Sequence, residues 1–160
     1  MESYRHRRIR RPGKTVVISD FYQKRIFLDT APLIYFIEGH STYQYKLMEY
    51  FTSNDNGDFA FITSSITLLE VLVKPLKEGK SKLVTQYKKI LLNADGIQIF
   101  EISNEVAEKA AQLRAKYGLR TPDALQIATA LEYRADYFLT NDHRLNAVTE
   151  ISTVTLLDMQ

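Results

Sequence analysis

Arg25-Ile-Phe-Leu-Asp29-Thr30-Ala-Pro32 is a strand, a carboxylate and the start of a helix in immediate succession. The residues before Asp29 form a compact run of β-forming type. Thr30 reads as a helix N-cap, and Pro32 lies in the first turn, where a missing N–H costs nothing. The helix is expected to run to about Glu38, with Gly39 closing it. This strand-to-helix unit, with an acid at the joint, decides the fold class if the chain repeats it.

The rest of the chain does repeat it. A second helix is expected over 42–51, ending in the turn-rich Ser53-Asn-Asp-Asn-Gly57. The next strand is expected over 59–62, followed by a helix capped by Ser64 or Ser65 that runs to about Glu78, with Pro75 inside it as a possible kink. A helix over 82–93, the turn Asp95-Gly96 and a strand over 97–100 come next. Ser103 caps a helix to Tyr117, with Gly118 in the position that favours a left-handed residue. Thr121-Pro122 opens a helix to about Arg134, a strand over 137–140 ends at Asn141-Asp142, and the last strand covers 153–157. Short strands alternating with helices imply an α/β fold with a mainly parallel sheet, and right-handed crossovers place helices on both faces. In such sheets the reactive site lies beyond the carboxyl ends of the strands. Asp29 and Asp142 both stand at such ends.

At 160 residues, 45% hydrophobic and 25% charged, the chain fits one domain with a real core. No apolar run approaches the roughly 18 residues that span a bilayer, so no membrane association is expected. Cysteine is absent, which excludes disulfides, zinc-thiolate sites and thiol nucleophiles. The basic N-terminus has no apolar segment behind it and so is not a secretory signal, and a cytoplasmic location is the expectation. The net charge of +2 conceals an asymmetry. Residues 1–24 carry seven basic side chains against Glu2 and Asp20, leaving 14 basic and 17 acidic residues for the remainder. Residues 1–24 are therefore read as a disordered basic leader, and 25–158 as the folded domain. A negative body suits a polyanionic ligand only if some of its carboxylates hold cations.

Four acids stand out. On a helical projection Ile66, Leu69, Val73 and Leu76 form an apolar stripe, with Glu70 at its margin, where a carboxylate loses solvation and needs a partner. Asp123 falls beside Ile127 and Ala130 on its helix, although an acid in a first turn also serves the free N–H groups and the dipole. Asp29 and Asp142 each read equally well as turn or capping residues. Taken singly, each has a structural explanation. As a set, four carboxylates at one sheet edge repel one another by several kcal/mol, about 4 for a pair 4 Å apart, unless a cation is present. Oxygen-only ligands suit Mg²⁺ or Mn²⁺, and such an ion supports hydrolysis of a phosphodiester.

Phe27-Leu-Asp29-Thr30, the helix bearing Glu70, Arg120-Thr-Pro-Asp123-Ala-Leu-Gln-Ile-Ala-Thr-Ala130 and Phe138-Leu-Thr-Asn-Asp142 resemble the PIN domain, and most closely its VapC-type toxins. The resemblance covers about residues 25–158, in consistent order. It implies a PIN-like three-layer sandwich with a five-stranded, mainly parallel sheet flanked by helices, and Mg²⁺- or Mn²⁺-dependent endoribonuclease activity on RNA. By position, Asp29, Glu70, Asp123 and Asp142 match the family's catalytic and metal-binding acids. Thr140 and Asn141 match polar residues beside them that orient a water or a ligand. The resemblance also implies a homodimer and a cognate antitoxin partner. The basic leader is not part of the family's pattern.

Other chemistries lack an anchor. There is no Gly-x-Ser-x-Gly elbow and no glycine-rich phosphate loop. A dehalogenase-type phosphoacceptor needs a second acid two residues after Asp29, where Ala31 stands. His6, His40 and His143 form no ligand pair at helical spacing. Tyr43, Tyr45, Tyr50 and Phe51 give the second helix an aromatic face suited to a dimer or antitoxin contact. The alternative to an enzyme is a module of the same fold that binds RNA or protein without cutting, with its acids serving as caps and rim charges.

Overall fold

A computed structural model describes residues 15–93 and 95–160. Five strands, β1 (Arg25–Leu28), β2 (Ala60–Ser64), β3 (Ile97–Phe100), β4 (Tyr137–Thr140) and β5 (Ser152–Thr155), form one sheet in the order β3-β2-β1-β4-β5. Every pairing is parallel. Six α-helices connect and flank them: α1 (Thr30–Glu38), α2 (Gln44–Asp55), α3 (Ser65–Lys77), α4 (Ser81–Asn93), α5 (Asn104–Tyr117) and α6 (Thr121–Glu132).

Alternation along the strands sorts the side chains into two cores. Ile26 and Leu28 of β1, Phe61 of β2 and Leu139 of β4 face one side, where Leu33, Tyr50, Val71 and Tyr87 from α1–α4 cover them. Phe27, Ile62 and Phe138 face the other side, against Val106 and Leu113 of α5 and Ala124, Ile127 and Ala128 of α6. Phe27 and Phe138 stack across neighbouring strands with ring centroids 5.1 Å apart. The three-layer α/β/α sandwich implied by the resemblance is the observed architecture, and the sheet is wholly parallel.

The topology places the site. The chain builds outward from β1 through β2 to β3, then crosses back to lay β4 on the opposite edge of β1. The ends of β1 and β4 are therefore neighbours at the point where strand order reverses, the position at which open α/β sheets offer a crevice. The Asp29 backbone N–H donates to the Leu139 carbonyl at 3.0 Å and holds the two ends together.

Several expectations need correction. Residues 15–24, assigned to the leader, pack on the body: Val16 bridges Met159, and Phe21 is fully buried at the end of a 3₁₀ turn over Ile18–Phe21. An isolated apolar residue beside polar neighbours shows no periodicity, so its burial is invisible until the core is assembled. Residues 1–14, the rest of the proposed leader, and His6 with them, lie outside the described residues. Asp29, not Thr30, is the N-cap of α1, accepting from the Thr30 N–H. Pro75, expected as a possible kink, lies inside α3, which continues to Lys77, and it is buried.

The buried face of α3 is also different from the one its hydropathy suggests. Thr67, Val71 and Pro75 point into the protein, while Leu69, Val73 and Leu76 are exposed. Hydropathy identified the stripe but not which way it faces: the inward face of α3 carries Thr67, hydrogen-bonded to Thr63 and Gln126, beside Val71 and Pro75. Glu70 is consequently exposed rather than at a desolvated margin. On α2, Tyr50 and Phe51 belong to the core, leaving Tyr45 as the exposed ring of the expected aromatic face.

Candidate active site

Asp29 follows the last residue of β1, and two groups fix its carboxylate. Its Oδ1 accepts from the Thr30 N–H at 2.9 Å, and its Oδ2 accepts from the Thr140 hydroxyl at 2.7 Å. The Thr140 oxygen in turn accepts from the Asp142 N–H at 3.1 Å. Thr140 is fully buried, so this one hydroxyl ties the ends of β1 and β4 into a fixed geometry. Burial is the main cause that raises the Asp29 carboxyl above the usual aspartate range; the hydrogen bonds from Thr140 and Thr30 oppose it, while the charges of Asp123 and Glu70 add to it.

Glu70 reaches the same place from α3. Its Oε1 accepts from the Thr30 hydroxyl at 2.8 Å. Asp123 sits in the first turn of α6 and pairs with Arg120, Nε to Oδ2 at 2.9 Å. Asp142 caps the short 3₁₀ turn His143–Ala147 and pairs with Arg144, Nη2 to Oδ2 at 2.6 Å. That guanidinium holds the Asp142 carboxyl below the usual range. Asn141 donates from Nδ2 to the Tyr35 hydroxyl at 3.1 Å. Asp29, Glu70, Asp123, Thr140, Asn141 and Asp142 all line one open cavity of about 370 Å³. As the side chains are oriented, no three acids or histidines among the described residues close around a single point. Arg120 and Arg144 turn Asp123 and Asp142 toward themselves.

Behind the cavity lies a buried polar chain that the sequence reading missed. The Ser64 hydroxyl caps α3, accepting from the Ile66 N–H at 3.1 Å, and donates to Gln126 Oε1. Gln126 Nε2 donates to Thr67 Oγ1 at 2.6 Å. Thr67 is 2.9 Å from the Thr63 hydroxyl and 3.5 Å from that of Thr30, which holds Glu70. No buried side-chain polar atom among the described residues lacks a partner. A glutamine amid Ala124, Leu125, Ile127 and Ala128 was the available signal. Gln126→Leu is expected to cost about 1–3 kcal/mol, because Ser64 loses its acceptor and Thr67 its donor. Urea denaturation measures this, and Gln126→Leu/Thr67→Val should recover part of the loss.

The PIN domain model matches residues 26–151, a span that contains all four acids and both strand ends that frame the cavity. The chain belongs to the PIN domain family. Solved structures with the same fold include VapBC2 from Rickettsia felis bound to a promoter DNA fragment, at 20% identity and a TM-score of 0.65, covering 82% of this chain and 98% of that one. A toxin–antitoxin complex from Klebsiella pneumoniae matches at 24% identity and a TM-score of 0.60, covering 82% and 97%. VapC20 of Mycobacterium tuberculosis, a sarcin–ricin loop cleaving toxin, matches at 14% identity and a TM-score of 0.64, covering 79% and 98%. No curated protein matches by sequence.

The donor set of this PIN domain fits a hard divalent ion. Every side chain that could ligate one in the cavity offers oxygen or, at Asn141, an amide. Asp29 is desolvated while facing two other carboxylates, an arrangement that a dication would relieve.

Proposed function

We propose that the protein is a metal-dependent endoribonuclease that hydrolyses RNA phosphodiester bonds, and that it is the toxin of a toxin–antitoxin pair. The observation that carries this reading is the convergence of Asp29, Glu70, Asp123 and Asp142 on one cavity at the switch point of the sheet. Asp29, Asp123 and Asp142 would hold Mg²⁺ or Mn²⁺, with Glu70 bound directly or through water. The ion, when bound, lowers the pKa of an attacking water and neutralises charge on the phosphodiester. Thr140 and Thr30 keep Asp29 and Glu70 directed into the cavity, so these two acids need little reorganisation on binding. Asn141 presents its amide at the rim, braced on Tyr35.

The fold-level likeness to structures of toxin–antitoxin complexes supports a cognate antitoxin. The exposed stripe Leu69, Val73 and Leu76 supports an apolar contact with that partner or with a second copy. Among the described residues no helix is long and apolar enough to cross a membrane; a cytoplasmic location is part of the proposal. The ion pairs that occupy Asp123 and Asp142 are the observation favouring the rival, a PIN-fold module that binds without cutting.

Thermal unfolding in a Mn²⁺ titration separates the two. The nuclease is expected to gain about 2.7 kcal/mol of stability when the ion reaches 100 times its dissociation constant, and Asp29→Asn should abolish the gain. An unchanged melting temperature across the titration, or RNA cleavage that survives complete chelation, would overturn the assignment.

A further inference from the structure

Arg120 and Arg144 are the cations that neutralise two of the four acids. Their side chains are 68% and 73% exposed, whereas those of Asp123 and Asp142 are 16% and 24% exposed. The carboxylates are thus recessed and the guanidiniums stand in water. Ion pairs of that kind are weak, so exchanging one cation for another costs little. The two pairs also interact. Arg120 feels the charge of Asp142, and Arg144 that of Asp123, so they behave as one cluster of alternating sign.

The hollow beside the main cavity extends this cluster. About 210 Å³ in volume, it is lined by Tyr117, Arg120, Asp123, Asp142, Arg144 and Leu145 among others. It shares Arg120, Asp123 and Asp142 with the main cavity, so one groove leads from the acids past both guanidiniums. A strand of RNA running along that groove would pass both arginines, and a planar guanidinium matches phosphate oxygens in pairs.

We infer that Arg120 and Arg144 form a counter-ion exchange device and an RNA-phosphate subsite. In the metal-free protein they balance Asp123 and Asp142. When a divalent ion takes over those carboxylates, the released guanidiniums bind the phosphate neighbouring the scissile bond on single-stranded RNA. Metal and RNA then each tighten the other's binding, since both draw on the same two pairs. The inference rests on the metal-site reading above and adds to it the substrate contact and the coupling between metal and RNA.

The experiment is calorimetric Mn²⁺ titration of the full chain and of Arg120→Gln, Arg144→Gln and Arg144→Lys. It is paired with anisotropy of a short fluorescein-labelled single-stranded RNA in Ca²⁺, with strand integrity checked by gel. Each glutamine variant should bind Mn²⁺ about two- to fivefold more tightly, because a competitor has gone. The same variants should bind RNA more weakly. Their log K against log salt should be shallower by about 0.7, the slope of one lost phosphate contact on a single strand. Arg144→Lys should keep the parental slope. Unchanged or weaker Mn²⁺ binding in the glutamine variants, with the parent binding normally, overturns the exchange alone. An unchanged salt slope overturns the phosphate subsite. Failure of the parent itself to bind Mn²⁺ overturns the metal-site reading, and the exchange with it.

Discussion

Asp29→Asn should reduce RNA cleavage on the order of a thousandfold, the factor that about 4 kcal/mol of lost transition-state stabilisation represents. The fold should survive, because asparagine keeps the shape and its carbonyl can still accept from the Thr30 N–H. The stability of the metal-free protein should change in a direction set by linkage. Burial raises the Asp29 carboxyl in the folded state, so between the ordinary aspartate value of 3.8 and its elevated folded value the native protein binds more protons than the unfolded chain. Asp29 therefore supports folding while protonated, and that contribution is lost as pH rises through its folded pKa. In EDTA the parent minus Asp29→Asn stability difference should fall as pH is raised toward neutrality. Asp142, whose carboxyl is depressed by Arg144, has the opposite sign and is common to both proteins, so it cancels in that difference. Urea titrations across pH measure the slope. A flat difference would mean that Asp29 is not desolvated as described, and cleavage at the parental rate would remove it from the active site.

Phe21→Ala carries the largest expected cost to stability, about 3–5 kcal/mol. The ring is fully buried and meets Tyr50, Phe59 and Tyr137 at centroid distances of 5.3, 5.4 and 5.3 Å. These partners come from α2, the turn before β2, and β4, so the ring joins segments distant in sequence. The chain on either side is held as well: the Val16 N–H donates to the Asp158 carbonyl at 2.6 Å, and the Gln23 N–H to the Asp58 carbonyl at 2.7 Å. Guanidinium unfolding of the variant tests whether residues 15–24 belong to the cooperative unit. A loss below about 1 kcal/mol would mean that this segment detaches without affecting the body. Cleavage measured well below the variant's melting temperature should be close to parental, because Phe21 packs at the amino-terminal ends of β2 and β4, whereas Asp29 and Thr140 stand at carboxyl ends of strands.

Much of the architecture was legible in the sequence because it depends on local rules. Ser103 caps α5 by accepting from the Val106 N–H at 3.2 Å, and Gly118 adopts the left-handed conformation that closes it. The β3 and β4 runs fall where the apolar segments place them. Asp29 and Asp142 were identifiable as site candidates because strand ends are readable, and strand ends in α/β sheets face the crevice. Glu70 was singled out for a reason that does not hold. Its helix turns a different face inward, and it belongs to the cavity through its hydrogen bond to Thr30 rather than through desolvation. The Arg120–Asp123 pair was within reach of sequence spacing, since the N-cap of α6 and Asp123 in its first turn are three residues apart.

By itself, then, the sequence determined the order and type of the strands and α-helices, the parallel α/β class and the chemical nature of the candidate site side chains. Propensity, capping and alternation act over a few residues, and they are written where they act. Only the tertiary structure decided that the crossover lays β4 against β1 and brings four distant acids to one cavity. It likewise decided that Phe21 and Gln126 are interior, and that Leu69 and Leu76 of α3 are not. Those outcomes depend on which surfaces meet across segments far apart in the chain, and no local pattern encodes the identity of the surface on the other side.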